Sequence, residues 1–272
     1  MSKYNDLDMK KWKEYEEINT DSLWIIKKRD NTGAHSGDYH GNFVPQIPRQ
    51  LMLRYTKKGD YILDPFLGSG TTLIEANRMG RNGIGIELKK EVLENTKNKL
   101  ILEKDDNTKM FVKVGDSKNV NINKILQKCK IEKVQFVIFH PPYWDIIKFS
   151  EDKRDLSNST TLEIFLEKMS KVIDNTCKYL EKDRYCAVVI GDKYQNGEII
   201  PIGFKVMNLF LEKNFKMKAI IVKNEFGWYN SFRQMEYESR RGDDLADRDA
   251  RRRCFLTLCH SSHRYAFAGE GL

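Results

Sequence analysis

Two short stretches hold residues that could do chemistry at a fixed spacing. Asp64-Pro65-Phe66-Leu67-Gly68-Ser69-Gly70-Thr71-Thr72 sets two glycines between a carboxylate and a pair of hydroxyls. Glycines let a backbone turn tightly and come close to a ligand at the start of the next helix. His140-Pro141-Pro142-Tyr143-Trp144 begins seventy residues after Gly70. Its prolines remove two backbone donors and stiffen the corner, so the His140 side chain and the flanking carbonyls are aimed at one spot. Two acids stand between these stretches. Glu87 closes the apolar run Gly83-Ile84-Gly85-Ile86. A carboxylate at the end of the second strand of such a unit can accept hydrogen bonds from both hydroxyls of a ribose. Asp116 follows Met110-Phe111-Val112-Lys113-Val114-Gly115 in the same manner.

These residues require strands to hold them. Tyr61-Ile62-Leu63 precedes the glycine stretch, and residues 73–79 after it repeat apolar side chains at helical spacing, so the text reads strand, turn, helix. Val134-Gln135-Phe136-Val137-Ile138-Phe139 delivers the proline corner. All four apolar runs end in polar or proline-stiffened residues, and an open parallel sheet binds its ligands at its carboxyl edge. Residues 89–105, 120–129, 162–180 and 202–215 are expected helices, and residues 186–192 and 217–223 expected strands.

In these two motifs the chain resembles the S-adenosylmethionine-dependent DNA amino-methyltransferases of the adenine-N6/cytosine-N4 family. The glycine stretch is similar to that family's cofactor loop. His140-Pro141-Pro142-Tyr143 is similar to its catalytic tetrapeptide, usually Asp/Asn/Ser-Pro-Pro-Tyr/Phe/Trp. The resemblance covers residues 38–222 and implies an α/β fold, with the Rossmann-like doubly wound, mostly parallel sheet of the class I methyltransferase type. It implies S-adenosyl-L-methionine as cofactor, held by Phe66, Gly68, Gly70, Thr71 and Thr72 of the loop and by Glu87. Asn42, Phe43 and Val44, in the segment before the loop, are expected to touch the cofactor. Asp64 could orient the loop or face the positive sulfonium. Asp116, with Ser117 beside it, could accept from the adenine amino group, although Gly-Asp is also ordinary turn chemistry.

The same resemblance gives the proline corner a purpose. An exocyclic base amine is a poor nucleophile because its lone pair is delocalised into the ring. Acceptors on its hydrogens favour the arrangement needed for in-line attack on a methyl group, and the Pro141 carbonyl and residue 140 can supply them. Tyr143 would stack on a base rotated out of the duplex. His140 departs from the family pattern. Only a neutral imidazole offers an acceptor nitrogen, so activity is expected to fall at acidic pH. The departure also leaves adenine against cytosine open. Trp144, Lys148, Lys153 and Arg154 beyond the corner are expected to meet substrate, as phosphate contacts or as a lid, unless the loop is a solvated connection.

A net charge of +8 over 272 residues suits a polyanionic partner such as DNA, or reflects only a lysine-rich composition. No apolar stretch approaches the length of a membrane span, and Met1-Ser2-Lys3-Tyr4-Asn5-Asp6 does not read as a signal peptide, so none is expected. Five cysteines, odd in number and scattered, argue against a disulfide framework and for a reducing cytoplasm. The expected domains are an N-terminal arm over 1–37, a catalytic domain over 38–223 and a compositionally distinct tail over 224–272. All 32 lysines precede residue 224, and the tail has eight arginines and eight acids. Arg240, Arg241 and Arg251 to Arg253 could grip phosphates, or the tail could be a solvated segment. The composition break also suggests a recombined or misread end in place of the resembled family's closing strands. Cys254, Cys259, His260 and His263 match no standard metal spacing, and no metal is expected. No target-recognition domain fits between the two motifs, so a separate recognition or restriction partner is possible. The rival readings are the same chemistry on RNA or a protein glutamine, and an inactive cofactor- or DNA-binding subunit.

Overall fold

A computed structural model of the chain describes residues 4–36, 39, 41–103, 105–225 and 254–261. After a kinked 3-10 turn at Met9–Glu14 come strand β1 (Leu23–Ile26), helix α1 (Gln46–Tyr55), β2 (Tyr61–Asp64), α2 (Thr71–Arg78), β3 (Asn82–Glu87), α3 (Lys90–Leu102) and β4 (Met110–Val114). The second half runs α4 (Ile122–Cys129), β5 (Val134–Phe139), α5 (Leu162–Cys177), β6 (Leu180–Gly191), the strand pair β7 (Lys193–Gln195) and β8 (Glu198–Ile200), α6 (Ile202–Glu212), β9 (Phe215–Glu225) and β10 (Cys254–Ser261).

Eight strands form one sheet in the order β1-β9-β10-β6-β5-β2-β3-β4. Every neighbouring pair is parallel except those made by β10, which runs antiparallel to both β6 and β9. The chain leaves β2 toward β3 and β4 on one side, then returns to build β5 and β6 on the other. The strand order therefore reverses between β2 and β5, where a doubly wound sheet opens a crevice at its carboxyl edge. The order explains the sequence pattern. All residues of β2 and β3 are buried, because helices cover both faces and leave no solvent side to alternate with.

Alternate side chains on each strand serve different layers. Leu63, Val137, Phe139, Val188 and Ile190 pack against α4, α5 and α6. Ile62, Phe136, Ile138, Ala187 and Val189 pack against α1, α2 and Trp24 of β1. Phe139 and Phe210 meet edge to face at 5.4 Å, which locks α6 onto the sheet. Asn121 and Thr161 cap α4 and α5 by accepting from the amides of Lys124 and Ile164.

Both flanks of the expected catalytic region contribute strands. The arm supplies β1, which pairs in parallel with β9, and it is tied down by Asp6 on the buried Arg81 and by His35 on Glu75 at 2.7 Å. The tail supplies β10, with Leu258 and Cys259 buried. Arg240, Arg241, Arg251 to Arg253 and His263 lie outside the described residues.

Candidate active site

The two motifs meet at the carboxyl edge of the sheet. A cavity of about 270 Å³ is walled by the glycine turn after β2, the ends of β3 and β4, the proline corner after β5 and the loop beyond it. Gly68 and Tyr143 share this cavity.

The turn keeps its shape through glycine and neighbouring side chains. Gly70 has φ +85°, caps α2, and would bring a Cβ within 2.6 Å of the Thr96 methyl. Gly68 has φ +52° and donates its amide to Glu87 Oε2 at 2.9 Å. Asn42 Oδ1 accepts from the hydroxyls of Ser69 at 2.5 Å and Thr71 at 3.3 Å, binding the segment before α1 to the turn. Ser117 donates to the Pro65 carbonyl at 2.5 Å. Asn42 and Ser117 are thus wall residues whose polar side chains also brace the loop.

Glu87 ends β3 with both carboxylate oxygens engaged, Oε2 by the Gly68 amide and Oε1 by that of Lys89 at 2.9 Å. Each oxygen keeps a further lone pair for a ligand hydroxyl. Burial raises its pKa, and the two amides oppose that shift. Asp116 takes the Lys118 amide at 3.0 Å and the Lys118 ammonium at 3.2 Å. Both acids line the cavity, with Asn42, Phe43, Phe66, Gly68, Ser117 and Arg154.

Gly70, Thr71 and Thr72 are not on the wall: Gly70 caps α2 and the two threonines open it. Asp64 is not on the wall either. Its carboxylate is 1% exposed and accepts from the Phe66 amide at 2.8 Å, which fits the loop-orienting reading. Burial pushes Asp64 up to about 7, with the Glu87 charge adding to the rise.

At the proline corner, the His140 ring packs on Phe43 with centroids 4.4 Å apart. Its Nε2 is 3.0 Å from the Tyr143 hydroxyl. Burial, reinforced by the Lys223 ammonium, holds the imidazole down at about 3. This corrects the expected acid sensitivity: His140 is already neutral throughout the range where a free histidine would titrate.

The loop after the corner covers the cavity instead of hanging free. Lys89 donates to the Phe149 carbonyl at 3.0 Å, and the Phe149 ring stacks near Tyr39 at 6.4 Å. Lys148 and Arg154 are paired to Glu151 and Asp152, both at 2.6 Å, so each charge is partly neutralised locally. Lys148 and Lys153 are not on the wall. Trp144, also off it, has φ +54°, donates to the Ser159 carbonyl at 2.9 Å and carries the Lys193 ammonium 4.5 Å above its ring.

Sequence reasoning missed Tyr39, Phe149, Asp155 and Lys223 on the wall. Lys223 had a readable signal, since it ends the apolar run Ile220-Ile221-Val222 as Glu87 ends its own. Tyr39 and Phe149 had none, because only the folded loop brings them together.

Comparison with known proteins agrees with this geometry. Residues 2–98 match the N6/N4 family model described as DNA methylase. The Type II methyltransferase M.MjaII of Methanocaldococcus jannaschii is 31% identical over 198 residues, covering 64% of this chain and 36% of that protein. The Type II methyltransferase M2.DpnII of Streptococcus pneumoniae is 50% identical over 58 residues, 21% of this chain and 22% of its own. The chain therefore spans about a third or less of these curated relatives. The fold is shared with TrmN from Thermus thermophilus at a TM-score of 0.51 and 12% identity, covering 80% of this chain and 49% of that one. Two motifs thus converge on one crevice of a mostly parallel, Rossmann-like sheet, in a chain that over residues 2–98 is similar to the DNA methylase family.

Proposed function

We propose that this protein transfers a methyl group from S-adenosylmethionine to an exocyclic amine of a DNA base, adenine N6 or cytosine N4. The observation that carries the reading is the single cavity holding Gly68, Glu87 and Asp116 together with His140, Pro141, Pro142 and Tyr143. The first three suit a nucleoside: a side-chain-free stretch of backbone, a carboxylate with spare lone pairs at a strand end, and a second carboxylate one strand further out. When bound, the cofactor supplies an electrophilic methyl group on a sulfonium.

The chain's own residues would do the rest by placement. Pro141 offers a carbonyl and His140 a neutral ring, so acceptors await the amine without bearing positive charge. Gly68, Glu87 and Asp116 would hold the cofactor that supplies the methyl group, while the Pro141 carbonyl and His140 would orient the amine, whose proton would pass to water once the methyl is transferred. Holding the reactants in line is the main source of acceleration such a site can offer. Tyr143, partly buried beside His140, would stack on the extruded base.

DNA is proposed as substrate on the family and on the charge of +8. With no target-recognition domain between the motifs, we place sequence reading in the arm, the loop after Trp144, the tail or a separate partner. A reducing cytoplasm suits the four buried free thiols of Cys129, Cys177, Cys186 and Cys259. Among the described residues, no helix is long and apolar enough to cross a membrane.

The test is incubation of the full chain with methyl-labelled cofactor and duplex DNA, followed by mass spectrometry of the nucleosides. N6-methyladenine or N4-methylcytosine supports the proposal. Label appearing only in RNA or protein, or cofactor binding without any turnover, overturns it.

A further inference from the structure

A neutral imidazole carries one N–H and one lone pair, so the partner of one ring nitrogen decides what the other can do. In His140, Nε2 faces the Tyr143 hydroxyl at 3.0 Å, and Nδ1 makes no hydrogen bond among the described residues. If the phenol donates to Nε2, Nδ1 holds the proton and can only donate. If Nε2 donates to the phenol oxygen, Nδ1 keeps its lone pair. The second arrangement alone gives the amine an acceptor on this ring.

We propose that the Tyr143 hydroxyl is a positioning group that holds His140 in the Nε2–H tautomer, leaving Nδ1 to accept a hydrogen bond from the substrate amine. The proposal rests on the amino-methyl transfer reading and gives the phenol a task separate from stacking. The ring has little freedom to escape the choice. Phe43 packs against one side at 4.4 Å, and the Tyr143 ring stands edge-on at 5.7 Å and 81°. The intervening prolines fix the backbone between the two side chains, so the three-residue spacing is rigid. Histidine creates the requirement. An amide or carboxylate at position 140 would present an oxygen lone pair whatever its partner, whereas an imidazole must be told which nitrogen to protonate.

The experiment pairs a spectroscopic readout with a mutant cycle on the full chain. Long-range proton–nitrogen NMR of histidine-labelled protein reports the His140 tautomer, the signal being assigned by its loss in His140→Asn. The wild type should show the Nε2–H form, and Tyr143→Phe should shift it toward Nδ1–H. In single turnover, Tyr143→Phe should slow methyl transfer about tenfold, the effect of one hydrogen bond, while cofactor affinity stays within about twofold. In the His140→Asn background the same change should cost less than about twofold, because an amide has no tautomer to set. An Nδ1–H signal in the wild type overturns the proposal, as does an equal rate loss in both backgrounds. Should no amine substrate be methylated, the transfer reading fails by itself, and the NMR arms still decide the tautomer. Should His140→Asn be inactive, the wild-type and Tyr143→Phe spectra decide it; should it be unfolded, the assignment comes from single substitution of the other four histidines.

Discussion

Between the Phe43 ring and the Tyr143 phenol, with the Lys223 ammonium on the same wall, the His140 imidazole stays unprotonated down to about pH 3. Its protonation therefore cannot shape activity near neutrality. The ratio of turnover between wild type and His140→Asn should stay constant from about pH 5.5 to 8, and a ratio that falls toward acid would reveal a titrating imidazole. Asp64 behaves in the opposite sense. Its folded pKa of about 7 exceeds the ordinary 3.8, so the folded state holds a proton that the unfolded state has already released. The stability linked to Asp64 is complete below about pH 4 and is lost as pH rises through 7. Asp64→Asn keeps an acceptor for the Phe66 amide and removes the titration. Denaturation should show the variant gaining on the parent between about pH 4 and 7 and no further above, by an amount on the order of a few kcal/mol at most. The text of the chain pointed to Glu87 and Asp116 because strand ends are readable as the place where apolar runs stop. It could not separate Asp64 from them. Asp64 also ends a strand, but its carboxylate turns inward to the Phe66 amide, and that direction is set by the turn's backbone.

The glycine turn shows how an element imposes its shape on the cavity. At Gly70 a side chain would meet both a left-handed backbone and the Thr96 methyl at 2.6 Å. Gly70→Ala should therefore destabilise the fold by about 1–3 kcal/mol, measured by urea denaturation, and weaken cofactor binding by displacing the turn. Phe149→Ala should loosen the loop over the cavity and raise the cofactor dissociation constant several-fold in calorimetry, leaving the melting temperature nearly unchanged. Periodicity located α4, α5, α6, β4 and β5 to within a few residues, because each is either a run of apolar side chains or an apolar helical stripe. It failed where charge interrupts a strand. β6 starts at Leu180, yet Glu181-Lys182-Asp183-Arg184 hides its first turn of sequence, and Asp183 has φ +62°. The β7–β8 pair was legible in principle. Asn196 and Gly197 both have positive φ, the chemistry of a two-residue hairpin turn, but three-residue strands are too short to show alternation.

At the scale of the molecule, β1 and β10 were the least legible strands. Both gain their structure from neighbours distant in sequence, β1 from β9 and β10 from β6 and β9 together. Composition changes at residue 224, but composition carries no record of strand pairing, and β9 runs across that point. Leu258 is 1% exposed and packs with Ala187 and Ile221 in the layer beneath α1. Leu258→Ala should cost about 2–5 kcal/mol in chemical denaturation, the loss expected of core leucine. A solvated tail would give almost none.

The reversed strand also sets the order in which the protein can be assembled. During synthesis β6 and β9 emerge with no partner between them, and β1 has nothing to join until β9 is seated, although its residues left the ribosome some two hundred positions earlier. The halves of the sheet must wait for residues 254–261 to slot in like a keystone. Pairings separated by so much chain close slowly, and their open edges invite other chains in the meantime. A nascent chain should thus hold a nearly finished nucleoside crevice beside an unfinished sheet, and chaperone demand should peak in the interval before the keystone arrives.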